Sequence, residues 1–136
     1  MKYERSINYY ETDAMGIVHH SNYIRFLEEA RCFFLDKIGL HYKKIEDEGL
    51  MIPVLEVNCK YKHPARYADT IVIDIKMCEL KGVKMIMDYA ITNKNTGDLI
   101  MEAQTKHCFT DSNLKPIILK KVKPEINKIL EENARA

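Results

Sequence analysis

Residues 9–38 read YYETDAMGIVHHSNYIRFLEEARCFFLDKI, a polar segment broken by a glycine and followed by a long amphipathic stretch. From residue 22 to residue 38 the apolar side chains recur at spacings of three and four, the pattern of a helix with one buried face. They are Tyr23, Phe26, Leu27, Ala30, Phe33, Phe34 and Ile38. Ser21 is the candidate N-cap and Gly39 the candidate residue that ends the helix. Ile24 and Leu35 widen the apolar face, so we expect a helix that is mostly enclosed by the rest of the chain.

Segments with the two-residue period of a β-strand lie on both sides of this helix. A first strand is predicted over residues 3–10, with a loop from Glu11 to His20. After a short helix over residues 42–48, alternating segments follow at 55–61, 71–77, 85–91 and 99–109. Leu55, Val57, Cys59 and Tyr61 alternate with polar residues, which predicts a half-buried strand. Turns are predicted at 81–82 and 95–98, a loop at 111–116 and a last helix at 125–132.

The order of elements predicts an α+β fold in which a curled antiparallel sheet covers one long helix. Short turns link the later strands, and hairpin connections produce antiparallel pairs. The length of 136 residues fits a single domain over residues 1–136. No repeat, low-complexity tract or linker interrupts the sequence.

Composition argues against several classes of protein. With 21 basic and 20 acidic residues the net charge is +1, which gives no support to nucleic-acid binding through a basic face. No stretch approaches the roughly 20 apolar residues that span a bilayer, and the N-terminus MKYERSINYY lacks the apolar core of a signal peptide. The four cysteines, at positions 32, 59, 78 and 108, form no C-x-x-C pair. We therefore expect a cytoplasmic protein with reduced thiols.

The polar segment concentrates groups that can do chemistry. Asp13, His19 and His20 immediately precede the long helix, whose first turn has backbone N–H donors and partial positive charge. A carboxylate beside such donors is suited to acting on a polarised carbonyl, as a base or as a nucleophile. The histidines lack metal-ligand spacing, because two are adjacent and His63 and His107 lie in separate segments. We expect no metal and no cofactor.

Residues 11–31, ETDAMGIVHHSNYIRFLEEAR, resemble the active-site segment of hotdog-fold acyl-CoA thioesterases. The branch that these residues resemble is the 4-hydroxybenzoyl-CoA thioesterase family, including the thioesterases associated with the Tol-Pal system. The matching residues are Tyr10, Glu11, Thr12, Asp13, Ala14, Gly16, Ile17, Val18, His19, His20 and Tyr23. A second match is Val57-x-Cys59-x-Tyr61-x-x-Pro64-Ala65-Arg66-Tyr67-x-Asp69, and a weaker one is Asn113-Leu114-Lys115-Pro116. Met15 departs from the pattern, which usually has Gly or Ala there, and could narrow the acyl site.

The resemblance implies a hotdog fold and hydrolysis of an acyl-CoA thioester, with an acyl-carrier-protein thioester as the other possible substrate. Asp13 would act as base or nucleophile, and the backbone N–H of His20 would polarise the carbonyl. Eight residues are expected to bind substrate: Tyr10, Met15, Gly16, Ile17, Val18, His19, Tyr23 and Arg66. The family also implies a homodimer joined edge to edge with the site between protomers, or a dimer of dimers.

Several alternatives stay open on the sequence alone. Tyr23 suits the core as well as the pocket, and the His20 side chain can orient Asp13, contact the thioester or serve structure only. Arg66 can bind coenzyme A phosphates or pair with Asp69. The basic residues Lys115, Lys120, Lys121 and Lys123 suit a solvated face or phosphate steering. The other functions considered are a hotdog hydro-lyase, whose acid and base are commonly a His and a separate carboxylate, and a non-catalytic acyl-thioester-binding or assembly protein.

Overall fold

A computed structural model describes residues 1–134 and shows a five-stranded antiparallel sheet with four helices. The strands are β1 (Lys2–Ser6), β2 (Val54–Tyr61), β3 (Thr70–Lys81), β4 (Lys84–Asn93) and β5 (Leu99–Cys108). The helices are α1 (His20–Lys37), α2 (Tyr42–Asp47), α3 (Leu119–Val122) and α4 (Pro124–Glu132). Within the described residues, no helix is both long enough and apolar enough to cross a membrane.

The strand order β1-β3-β4-β5-β2 places β1 and β2 at opposite edges. Strands β3, β4 and β5 form consecutive hairpins, whereas β2 pairs with β5 and β1 with β3. Every pair is antiparallel, which confirms the predicted α+β architecture. The loop before α1 lies against the β2–β3 connection, because Ile17 pairs with Arg66 in an isolated bridge.

The core lies between α1 and one face of the sheet. Alternate residues of β3 and β4 are buried there: Ile71, Ile73, Ile75 and Met77, then Met85, Met87, Tyr89 and Ile91. From α1 the largest contributions are Phe26, Leu27 and Phe34, which are at most 1% exposed. Burying one such side chain stabilises the fold by roughly 1.5–3 kcal/mol, so this contact fixes the position of α1 and of the loop before it.

The first strand is shorter than the predicted range of residues 3–10. It ends at Ser6, and Tyr9–Glu11 form a single 3₁₀ turn. Asn8 and Glu11 close this turn reciprocally: the Glu11 N–H donates to the Asn8 carbonyl at 3.0 Å, and the Asn8 N–H donates to Glu11 Oε1 at 2.8 Å. This local capping interaction outweighs the weak alternation that favoured a strand.

Helix α1 begins at His20, and its N-cap is His19 rather than the predicted Ser21. The imidazole of His19 accepts a hydrogen bond from the Ser21 N–H at 3.2 Å, a capping function more often supplied by a hydroxyl or carboxylate. The predicted end at Gly39 is confirmed. Gly39 has φ +87°, and the Leu40 N–H donates to the Leu35 carbonyl at 2.8 Å, as in a Schellman motif.

Strand β2 is not half-buried as predicted. In the single chain Leu55 is 60% and Tyr61 52% exposed, because β2 is an edge strand to one side of α1. Two smaller differences lie near the C-terminus: the last helix begins at Pro124, and α3, with four residues, was not predicted. A single helical turn is too short to show a period.

Candidate active site

A tight loop holds Asp13 in front of α1. Thr12 and Val18 pair across the loop, the Asp13 N–H donates to the Ile17 carbonyl at 2.9 Å, and the Gly16 N–H donates to the Asp13 carbonyl at 2.9 Å. The turn requires φ +77° at Gly16, a conformation that side-chain-bearing residues rarely adopt. The loop residues therefore form a fixed turn rather than an irregular segment.

The carboxylate of Asp13 is oriented at one oxygen and free at the other. Oδ1 accepts the Met15 N–H at 2.8 Å. Within residues 1–134, Asp13 has no ion-pair partner and Oδ2 accepts no hydrogen bond from protein. An oriented carboxylate with an unoccupied oxygen can accept a proton or attack a carbon.

One backbone donor at the start of α1 is unoccupied. The His19 N–H donates to the Glu11 carbonyl, the Ser21 N–H to the His19 ring and the Asn22 N–H to the His19 carbonyl. In the described part of the chain, only the His20 N–H among these four has no acceptor. A free N–H at a helix N-terminus is a donor for a developing oxyanion.

Asp13 and His20 lie in one cavity of about 390 Å³. The remaining lining residues are Met15, Ile17, Val18, Tyr23, Tyr61, Lys62, His63 and Pro64. Most of these are apolar or aromatic, as in binding sites for small organic groups.

Tyr23 is 4% exposed and packs against the Tyr61 ring at 5.4 Å between centroids. Burial raises the pKa of the Tyr23 phenol, against an opposing effect of the Ala65 backbone N–H. Tyr23 is therefore neutral at physiological pH.

The structure brings together six of the ten predicted site residues: Asp13, Met15, Ile17, Val18, His20 and Tyr23. Tyr10, Gly16, His19 and Arg66 are not among the lining residues. Tyr10 is 81% exposed. The His19 ring caps the helix and stacks on the His20 ring at 4.3 Å. The roles of these residues in substrate binding stay predictions.

Arg66 lies beside the loop, with its guanidinium 3.9 Å from the point where a Cβ on Gly16 would be. The alternative ion pair between Arg66 and Asp69 does not form. Instead the backbone N–H of Arg66 donates to Asp69 Oδ2 at 2.9 Å. This carboxylate stabilises the turn, and the guanidinium makes no ion pair within residues 1–134.

Sequence reasoning missed the cavity wall formed by residues 61–64. His63 and Lys62 follow β2 directly, and His63 Nδ1 lies 2.9 Å from the Leu99 carbonyl. The signal was present in the Pro64-Ala65-Arg66 motif, but its position against the Asp13 loop is evident only from contacts in the structure: Ile17 pairs with Arg66, and the Val18 N–H donates to the Ala65 carbonyl at 2.8 Å. No cluster of metal ligands occurs in the part of the chain that the structure describes, and the expected absence of a metal stays a prediction.

Comparison with known proteins matches residues 7–131 to the model of the thioesterase-like superfamily. The chain belongs to this superfamily. Its hotdog fold is confirmed, and the protein is a thioester hydrolase. Bacillus subtilis YneP, provisionally named an acyl-CoA thioesterase, is 34% identical over 91% of this chain and 90% of its own. The Escherichia coli acyl-CoA thioester hydrolase YbgC is 29% identical over 85% of this chain and 86% of its own.

Solved structures give the same family. The DHNA-CoA thioesterase of Staphylococcus aureus superimposes with a TM-score of 0.91 and 26% identity, covering 96% of this chain and 88% of that protein. A hypothetical protein of Aquifex aeolicus superimposes with a TM-score of 0.88 and 36% identity, covering 96% and 98%. The overall fold of this chain is thus also that of a known thioesterase.

Proposed function

We propose that this thioester hydrolase cleaves acyl-CoA at the cavity lined by Asp13 and His20, and that these two residues carry the reaction. The observation that carries the proposal is the pairing of an oriented carboxylate with an unoccupied helix N-terminal N–H in one cavity. The names of YneP and YbgC support coenzyme A as the carrier of the acyl group.

The reaction needs an attacking group and a donor to the carbonyl oxygen. In the proposed mechanism the thioester carbonyl oxygen accepts a hydrogen bond from the His20 N–H, which stabilises the negative charge that develops there. Asp13 Oδ2 either removes a proton from water that attacks the carbonyl carbon and displaces the thiolate, or attacks that carbon itself. In the second case the thiolate leaves, and water then hydrolyses the resulting Asp13–acyl anhydride. The products are the free acid and the coenzyme A thiol.

The leaving group explains why one carboxylate suffices. A thiolate departs without prior protonation far more readily than an amine, so no separate acid is required. Within residues 1–134 no second carboxylate lines the cavity with Asp13. The hydro-lyase alternative commonly uses a His with a separate Asp or Glu. The position of Asp13 in the loop before α1, where the resembling thioesterases have their carboxylate, favours hydrolysis.

The cavity supports an apolar or aromatic acyl group. Met15, Ile17, Val18, Tyr23 and Tyr61 supply apolar surface around the reactive groups. The name of the Staphylococcus aureus neighbour refers to an aromatic acyl-CoA. We also propose that the chain belongs to the 4-hydroxybenzoyl-CoA branch, which includes the Tol-Pal-associated thioesterases. Arg66 is the proposed contact for coenzyme A phosphates, since its guanidinium makes no ion pair within residues 1–134 and lies next to the loop. A cytoplasmic location also stays a prediction.

We propose that the active unit is a homodimer, with a dimer of dimers as the larger form. The support is the exposed apolar face of edge strand β2, where Val54, Leu55, Val57 and Tyr61 are between 37% and 60% exposed. Unpaired apolar edges are normally covered in soluble proteins. Tyr61 belongs both to this edge and to the cavity wall, so a partner at β2 would lie next to the site.

The test is thiol release from short, long and aromatic acyl-CoAs by the wild type and the Asp13→Asn variant. An asparagine can still accept the Met15 N–H, so the loop should keep its structure while turnover falls by about 10²–10⁴-fold. Asp69→Asn is the matched control, because Asp69 also accepts a backbone N–H in a neighbouring turn. It should leave turnover near the wild-type value.

Three outcomes would contradict the proposal in different ways. Undiminished turnover in a folded Asp13→Asn would show that the catalytic residue is another group. Hydrolysis restricted to acyl-carrier-protein thioesters would replace the proposed carrier. Tight binding of acyl-CoA without turnover of any thioester would favour the non-catalytic binding protein.

A further inference from the structure

A buried ion pair lies directly behind the candidate active site and has no part in the chemistry described so far. Glu11, two residues before Asp13, is 5% exposed. The guanidinium of Arg5 donates to both of its oxygens, Nη1 to Oε2 at 2.9 Å and Nη2 to Oε1 at 3.0 Å. The Asn8 N–H donates to the same carboxylate at 2.8 Å. The carboxylate is thus held from β1 and from the 3₁₀ turn.

The same guanidinium is fixed to α1. Its Nε lies 3.2 Å from Glu29 Oε1, and its plane lies over the Phe26 ring at 4.1 Å from the centroid. Glu29 also accepts the Tyr3 hydroxyl at 2.9 Å. Arg5 therefore joins Glu11 to the helix as well as to the first strand.

The main chain of Glu11 completes the connection to the oxyanion donor. Its carbonyl accepts the His19 N–H at 2.9 Å and the Asn22 side-chain amide at 2.8 Å. These two donors flank His20 in sequence. Movement of Glu11 would therefore displace the start of α1 and, through two peptide units, the carboxylate of Asp13.

We propose that Glu11 and Arg5 are positioning residues, which hold the Asp13 carboxylate at a fixed distance from the His20 N–H. The inference rests on the proposed function of Asp13 and His20. The two reactive groups lie on different elements, a loop and a helix, and Glu11 contacts both sides of the gap. A bidentate guanidinium–carboxylate pair restricts direction as well as distance, which a single hydrogen bond cannot do. Small errors in such distances are costly, since a displacement of about 1 Å can lower a rate by about 10²-fold.

The first experiment compares Glu11→Gln and Arg5→Lys with the wild type in the thiol-release assay, at matched amounts of folded protein. Gln presents an N–H₂ group to a donor, and Lys lacks the rigid planar fork that gives two parallel hydrogen bonds to a carboxylate. We expect kcat to fall by about 10²-fold with KM within about 3-fold of wild type, because alignment rather than binding is lost. Glu4→Gln is the matched control: Glu4 lies on the same strand in an exposed ion pair with Lys94, and this variant should keep the wild-type kcat.

A second pair of measurements separates positioning from general stability. Arg5→Met/Glu11→Leu replaces the buried pair by apolar groups, an exchange that can leave stability unchanged. We expect the melting temperature of the double variant to be closer to the wild-type value than the melting temperature of Glu11→Gln is. Its kcat should still be low. Hydrogen exchange of the His19 amide should be faster in Glu11→Gln and unchanged in Glu4→Gln.

The outcomes are distinguishable from failure of the proposed function. Wild-type kcat and KM in a folded Glu11→Gln would overturn the positioning role and leave the proposed catalytic role of Asp13 unaffected. So would recovery of kcat together with stability in the double variant. If the wild type itself hydrolyses no thioester, the proposed function fails, and unchanged exchange of the His19 amide would then overturn the positioning role as well.

Discussion

His107 is a buried histidine in a chain of hydrogen bonds beneath α1. Arg31 Nη1 donates to the Tyr89 hydroxyl at 3.2 Å, that hydroxyl lies 2.6 Å from Thr105 Oγ1, and Thr105 Oγ1 lies 2.8 Å from His107 Nε2. His107 is 1% and Arg31 7% exposed. Burial and the nearby positive charge of Arg31 lower the pKa of His107 to about 4. His107 is therefore neutral in the folded protein at neutral pH.

This histidine makes stability depend on pH. An unfolded histidine has an ordinary pKa of about 6.5, so between that value and about 4 the unfolded chain binds more protons than the folded one. Stability from neutral His107 is present above the unfolded pKa and is lost as the pH falls toward 4, by an amount of the order of 3 kcal/mol. Urea unfolding of the wild type across this range should show the loss.

The matched comparison uses two substitutions to glutamine. His107→Gln removes the titrating group, and its unfolding free energy should change less between pH 7 and pH 4 than that of the wild type. His41→Gln, at an exposed histidine that contacts Asp36, should retain the wild-type slope. Parallel pH profiles for His107→Gln and the wild type would exclude His107 as the source.

Sequence patterns identified some of these residues and not others, for physical reasons. Asp13 and His20 follow from a local motif and from the N-terminus of a helix, both readable along the chain. The contacts of Arg5 with Glu11 and Glu29 depend on how β1 lies across α1. The local sequence does not encode such a contact. A charged residue in a predicted strand, such as Arg5, is ordinarily expected to face solvent.

Strand β2 shows which properties of an element its own sequence determines. The alternation over 55–61 predicted a strand, and one is present with nearly those bounds. The prediction that β2 is half-buried was wrong, because the burial of a strand depends on what packs over it and not on the period of its sequence. Edge position follows from the pairing of β2 with β5, a long-range contact that the hairpin rule does not predict. The alternating strands β3 and β4 are buried as their patterns indicate, since α1 covers them.

The exposed face of β2 allows a direct test of the proposed dimer. Leu55→Lys places a charge on the apolar face of the edge and should shift the protein toward monomer. Asn58→Lys is the control on the same strand, because Asn58 faces the outer surface of the sheet with Lys60. Sedimentation or light-scattering mass should show a dimer for wild type and Asn58→Lys. A monomeric wild type, or a Leu55→Lys variant that stays fully dimeric, would contradict an interface at this edge.

The whole molecule places a rigid loop, a helix N-terminus and an edge strand around one cavity. The sheet and α1 form the core, and the loop of residues 12–18 is attached to that core at both ends, through Glu11 and through the bridge between Ile17 and Arg66. The α+β class could be predicted from the order of strands and helices. The cavity could not, because residues 61–64 join it through long-range contacts, the pairing of β2 with β5 and the bridge between Ile17 and Arg66.

In the proposed mechanism Asp13 and the His20 N–H act on the same carbonyl group. A crystal structure of the slow Asp13→Asn variant with an intact acyl-CoA would test it directly. We expect the carbonyl oxygen roughly 2.7–3.1 Å from the His20 backbone nitrogen, with the side chain at position 13 facing the carbonyl carbon and the acyl group against Met15 and Tyr23. A thioester bound with its carbonyl oxygen away from the His20 nitrogen would contradict the claim.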